Sequence, residues 1–75
     1  MKELIEYLAR ALATQPDEIV VEEERLGDHV IFHLQCAEED KGRLIGRDGR
    51  VANAMRSLLH VASTRAGVRA TLNIE

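Results

Sequence analysis

Three glycines fall within eight residues, at Gly42, Gly46 and Gly49, and both flanks of that stretch are patterned as helix. Glycine opens backbone angles closed to other residues, so a chain punctuated in this way turns sharply instead of running on as one helix. Two familiar glycine motifs are excluded. A phosphate-binding P-loop needs four residues between its glycines and then Lys-Ser/Thr; here three residues separate Gly42 from Gly46, and Arg47-Asp48 follows. A dinucleotide fingerprint needs Gly-x-Gly directly after a strand, and none is present. What remains is a tight Gly46-Arg47-Asp48-Gly49 turn between two helices.

The rest of the chain frames that turn. Leu4, Leu8 and Leu12 recur every four residues with Ile5 and Ala9 beside them, which predicts an amphipathic helix over 2–13. Pro16 stops it. Residues 18–25 and 29–36 read as strands, the second from the alternation of Val30, Phe32 and Leu34 with Ile31, His33 and Gln35. The Leu26-Gly27-Asp28 link suits a hairpin. A short helix is expected over 38–45, its acidic start (Glu38, Glu39, Asp40) matching the positive end of the helix dipole. A longer helix follows over 50–65, with Gly67 as its stop. From Val68 to Glu75, Val68, Ala70, Leu72 and Ile74 share one face of a last strand. The order helix-strand-strand-helix-helix-strand predicts one α+β domain over 1–75, a three-stranded sheet with helices packed on one face.

Charge singles out the turn again. Lys41, Arg43, Arg47, Arg50 and Arg56 face one acidic residue, Asp48, a net +4 over 41–56; the remaining chain has five basic and twelve acidic residues, a net −7. Charge alone leaves two readings open, one local site that attracts an anion while the rest repels it, or charges clustered by chance on solvated faces. Only two aromatics, Tyr7 and Phe32, are present, which excludes a site built on aromatic stacking. One cysteine, Cys36, allows no internal disulfide or multi-cysteine zinc site, and it reads as a small core residue. Apolar runs of three residues exclude a membrane span and the apolar segment of a signal peptide; the expected compartment is the cytoplasm. His29, His33 and His60 lack metal-ligand spacing, and Glu22, Glu23 and Glu24 read as a solvated strand face. No catalytic constellation, metal or cofactor is expected.

By itself such a turn has two readings: Gly46 caps one helix and Gly49 relieves crowding, or the turn admits a polynucleotide backbone. Without side chains at Gly46 and Gly49, a phosphate chain can approach the main chain closely. The helix starting near Arg50 aims N–H groups and its positive dipole end at the same place. Arg43, Arg47 and Arg50 add forked donors suited to phosphate. Leu44, Ile45, Val51 and Ala54 would line an apolar groove for bases. Asp48 is expected to cap the following helix.

Leu44-Ile45-Gly46-Arg47-Asp48-Gly49-Arg50-Val51, placed between two strands and a terminal strand, resembles the signature of the KH domain, whose loop clamps four nucleotides of single-stranded RNA. The element order resembles the type II, prokaryotic form. Glu39-Asp40-Lys41-Gly42-Arg43-Leu44-Ile45-Gly46-Arg47-Asp48-Gly49-Arg50 is similar to the motif of the small stand-alone bacterial KH proteins of the KhpA type. Arg43 and Arg47 stand where Lys is typical, and Asp48 where a polar or basic residue is more usual. The resemblance implies a non-catalytic binder of single-stranded RNA, an RNA chaperone or post-transcriptional regulator linked to cell shape and division. It implies an RNA site at Lys41, Gly42, Arg43, Ile45, Gly46, Arg47, Asp48, Gly49, Arg50, Val51 and Ala54. A reading of another class stays open, a protein–protein adaptor with this fold and little RNA affinity.

The longer helix carries one more signal. Val61, Ala54, Leu58, Val51, Ala62, Met55, Leu59 and Ala52 cover about 180° of its circumference, where packing on a small sheet needs about 100°. The surplus is either a loose edge of the core or a second contact surface, the latter at Leu59, Val61 and Ala62. The resemblance implies that it serves a homodimer, or a heterodimer with a larger KH protein of the Jag type.

Overall fold

The computed structural model describes residues 1–75. Helix α1 spans Lys2–Leu12, strands β1 and β2 span Val20–Leu26 and His29–Gln35, α2 spans Lys41–Ile45, α3 spans Arg50–Ala66 and β3 spans Arg69–Ile74. This is the type II KH order, with the sheet arranged β1-β2-β3. β1 and β2 pair antiparallel from Val20↔Gln35 to Leu26↔His29, so Leu26 belongs to the ladder and the turn itself is Gly27-Asp28. β3 lies parallel to β2, from His29↔Arg69 to Leu34↔Ile74. A parallel pair needs a long crossover, and α2 and α3 supply it.

The core follows the alternation seen in the sequence. Val30, Phe32 and Leu34 of the central strand are fully buried, and Val21 and Leu72 join them from the flanking strands. Ile5 and Ala9 of α1, Leu44 of α2, and Met55 and Leu59 of α3 close over them. Burial of each large aliphatic or aromatic side chain here contributes about 1.5–3 kcal/mol.

The structure departs from the sequence reading at the joints. Pro16–Glu18 form a 3-10 turn, so β1 starts at Val20. The helix expected over 38–45 is split into a 3-10 turn, Glu38–Asp40, and the five residues of α2. α3 runs one residue further than expected and ends in a Schellman motif: Val68 N–H donates to the Ser63 carbonyl at 3.0 Å and Gly67 N–H to that of Thr64 at 3.2 Å.

Two residues expected at surfaces are in the core. Leu44, read as groove lining, is fully buried: it lies 100° around α2 from exposed Ile45 and packs into the core. Leu59, read as part of a contact surface, is 1% exposed, whereas its neighbours Leu58 and Val61 are 49% and 54% exposed. At 100° per residue, Leu58 and Val61 share a face and Leu59 points away from them toward the sheet.

Candidate nucleic-acid interface

Asp40 fastens the site at its start. It is 0% exposed. Its Oδ1 accepts from the Thr14 N–H at 3.0 Å and the Thr14 hydroxyl at 2.7 Å, and its Oδ2 accepts from the Gln15 N–H at 2.9 Å. Those bonds, the Thr14 N–H first, hold its carboxyl below the ordinary carboxylate value. Glu39 Oε2 accepts from Gln15 Nε2 at 2.6 Å. The acidic start of the motif therefore ties the loop after α1 to α2, where the sequence suggested only dipole matching.

The turn begins six residues after Asp40. Gly46 has φ +78° and ψ 171°, a region essentially reserved for glycine. A Cβ there would sit 2.5 Å from Val51 Cγ2 and 2.7 Å from the Val51 backbone nitrogen. Gly46 is thus required by packing as well as by angle. Gly49 is left-handed at φ +76°, but an added Cβ would meet only Asn53 Nδ2, at 3.8 Å. The turn closes on its own bonds, Gly49 N–H to the Gly46 carbonyl and Arg50 N–H to that of Arg47.

Asp48 does not cap α3. Its own backbone is left-handed, φ +57° and ψ +25°, and neither the turn nor α3 has a side-chain cap bond. A capping residue needs extended backbone to fold its side chain back on the helix; Asp48 instead uses the tolerance of Asp for the left-handed region.

Around the turn, Arg43, Arg47 and Arg50 are exposed. None of them makes an ion pair, Asp48 makes none either, and Lys41 pairs with Glu38 at 3.8 Å. The structure thus gathers three uncommitted guanidinium groups within eight residues. Ile45 and Ala54 are exposed and Val51 half-buried, so three of the four expected groove residues keep apolar surface beside the arginines. Gly42 is exposed, and a Cβ on it would meet nothing within 4 Å.

Sequence reasoning missed the opposite wall. Arg69 N–H donates to Asp28 and Glu75 N–H to Leu34, which places the odd residues of β3 against β2. The backbone groups of Ala70, Leu72 and Ile74 consequently face away along the open edge. Arg56 reaches that edge. Its Nε and Nη2 both donate to the Leu72 carbonyl at 3.2 Å, while Nη1 donates to Asn53 Oδ1 at 3.3 Å. Asn53 in turn lies beside Gly49. The spacing Gly49, Asn53, Arg56 was the available signal, one helical stripe pointing at the sheet edge.

The outer sheet face is of another kind. His33 is held between Glu75 Oε2 at 2.7 Å and Glu24 Oε1 at 3.1 Å, one carboxylate per ring nitrogen. These bonds, Glu24 first, raise its pKa above the ordinary value. His29 Nε2 bonds Thr71 Oγ1 at 2.7 Å. Cys36, read as a core residue, is half-buried at the edge of the core, and that burial pushes its thiol up.

No helix is long and apolar enough to cross a membrane. Comparison with known proteins gives one consistent answer. A protein called RNA-binding protein KhpA from Clostridium acetobutylicum is 36% identical over 74 residues, covering 99% of both chains. Proteins of the same name from Halalkalibacterium halodurans and Treponema pallidum are 38% and 40% identical, covering 99% and 97% of this chain and 97% and 91% of theirs. No solved structure matches the chain. The family model described as "KhpA/KhpB, KH domain" matches residues 2–74, and with this element order and this turn the chain belongs to that KH family.

Proposed function

We propose that the protein binds single-stranded RNA without catalysis, at the Gly46–Gly49 turn and the furrow beside it, as an RNA chaperone or post-transcriptional regulator. The observation that carries this reading is the cluster of Arg43, Arg47 and Arg50, exposed and without ion pairs around a turn stripped of side chains. The names of the relatives support it. Ile45, Val51 and Ala54 offer apolar surface to bases, and the whole chain acts as one domain.

The test is an RNA titration of wild type and Arg47→Asp at several salt concentrations. With three or four phosphates neutralised, log K should fall against log salt with a slope of about −2 to −3. Arg47→Asp should abolish binding and change stability by no more than about 0.5 kcal/mol, because the side chain is exposed and unpaired. Asp48→Lys should tighten binding. If neither variant moves RNA affinity while both remain folded, the turn is not the RNA site and the adaptor reading replaces this one.

Leu58 and Val61, with half-buried Ala62, form the apolar patch of α3 that the core does not use. We assign it to self-association or to pairing with a larger KH protein of the Jag type. Val61→Glu should shift the sedimentation coefficient of a wild-type dimer to that of a monomer; a wild type that is monomeric at high micromolar concentration excludes the homodimer.

A further inference from the structure

The stripe of α3 that carries Asn53 and Arg56 does not stop there. Gly49, Asn53, Arg56, His60 and Thr64 fall within about 80° of the helix circumference at 100° per residue. Arg56 shows which way the stripe faces, since its guanidinium lies on the open edge of β3. At the far end of this furrow lies a cleft of about 450 Å³, lined by His60, Thr64, Arg69, His29 and Thr71 together with Ser63, Val68 and Ala70.

No carboxylate lines this cleft. In a chain of thirteen acidic and ten basic residues that is a selective arrangement. The contrast with His33 is direct: that imidazole is held by two carboxylates and has no donor left for an anion, whereas His29 bonds a hydroxyl and His60 is exposed. Arg69 is exposed, and its one acidic neighbour, Asp28, lies at 3.8 Å in a pair that is 74% exposed on both sides and therefore weak. His60, Thr64 and Arg69 line the cleft with donors, and the bonded His29–Thr71 pair keeps one more, a donor set for a phosphate.

We propose that this cleft is a second phosphate-binding site, occupied by a later phosphate of an RNA strand held at the Gly46–Gly49 turn. The inference rests on the RNA reading and extends it along the molecule. From Gly49 to Thr64 the helix rises about 22 Å. At about 3.4 Å per nucleotide in a stacked strand, a tetranucleotide spans about 10 Å and an octanucleotide about 24 Å. The turn accommodates the shorter strand, and only the longer one also reaches the cleft.

The experiment compares the adenosine tetranucleotide and octanucleotide, whose bases stack, on wild type and on the double variant His60→Ala/Arg69→Ala, both folded by melting. Additional binding registers raise the octanucleotide affinity equally in both proteins, so the difference between proteins is the readout. The variant should lose about tenfold for the octanucleotide, the worth of one charge-assisted hydrogen bond, and nothing for the tetranucleotide. Its octanucleotide salt slope should become shallower by about 0.7 per lost phosphate. Equal octanucleotide affinity in the two proteins overturns the second site and leaves the turn intact as an RNA site. If wild type binds neither oligonucleotide, the RNA reading itself fails and this inference with it. An inorganic phosphate titration followed by amide chemical shifts separates the remaining source. Shifts at His60 and Arg69 with no octanucleotide penalty in the variant would make the cleft a site for free anions and overturn the strand path.

Discussion

Asp40 and Asp48 sit at the two ends of one motif, eight residues apart. Asp40 is 0% exposed and accepts three hydrogen bonds from Thr14 and Gln15. Asp48 is exposed, left-handed, and accepts none from the helix it precedes. The same contrast runs through their neighbours. Glu39 and Lys41 are committed to partners within the chain, and Arg43, Arg47 and Arg50 are not. One half of the motif fastens α2 in place; the other offers uncommitted charge to a ligand. Charge-rich residues that look uniform in sequence acquire opposite roles because one half is desolvated and satisfied and the other is left in water.

The strongest way to break this comparison is at Gly46, which lies within the offering half but is held by packing. Gly46→Ala places a Cβ 2.5 Å from Val51 Cγ2 at backbone angles that alanine rarely adopts. Thermal or denaturant melting should show a loss of about 2–4 kcal/mol. Gly49→Ala meets only Asn53, so the cost there is the left-handed angle alone, about 1–2 kcal/mol. Equal losses at the two positions would mean that the Val51 contact does not set the turn.

A smaller effect of opposite sign is expected at Gly42. It is an exposed helical position with open space where a Cβ would go. Gly42→Ala should stabilise the protein by about 0.5–1 kcal/mol. If RNA affinity falls in that same stabilised variant, the nucleic-acid backbone approaches α2 as closely as it does the turn.

The smallest effects are in pH dependence, and they sharpen the contrast between committed groups. Asp40 has its pKa lowered by the bonds it accepts, so its contribution is present above the ordinary value of 3.8 and is lost as pH falls through the lowered one. His33 has its pKa raised by Glu24 and Glu75, so its contribution is present below the ordinary 6.5 and is lost as pH rises through the raised value. Melting temperature should therefore rise modestly as pH is lowered toward 6.5 and fall in strong acid. His33→Gln should flatten the first limb, and Asp40→Asn the second.

Much of this molecule was legible from its sequence. Period-four leucines, alternating strands and clustered glycines report local geometry and one buried face. They determined the element order, the KH resemblance, the core faces of β2 and β3, and the position of the turn. Arg43, Arg47 and Arg50 could be read as a basic cluster because they are adjacent in the chain. Only the tertiary structure decided the relations between distant segments. The role of Asp40 depends on Thr14 and Gln15, some 25 residues earlier. That of Arg56 depends on an edge carbonyl sixteen residues later. The choice of Leu58 over Leu59 as surface depends on where α3 rests on the sheet. Sequence periodicity reports which side of an element is apolar, but not what lies opposite it. A carboxylate or guanidinium takes its role from the partners that packing brings within about 3 Å.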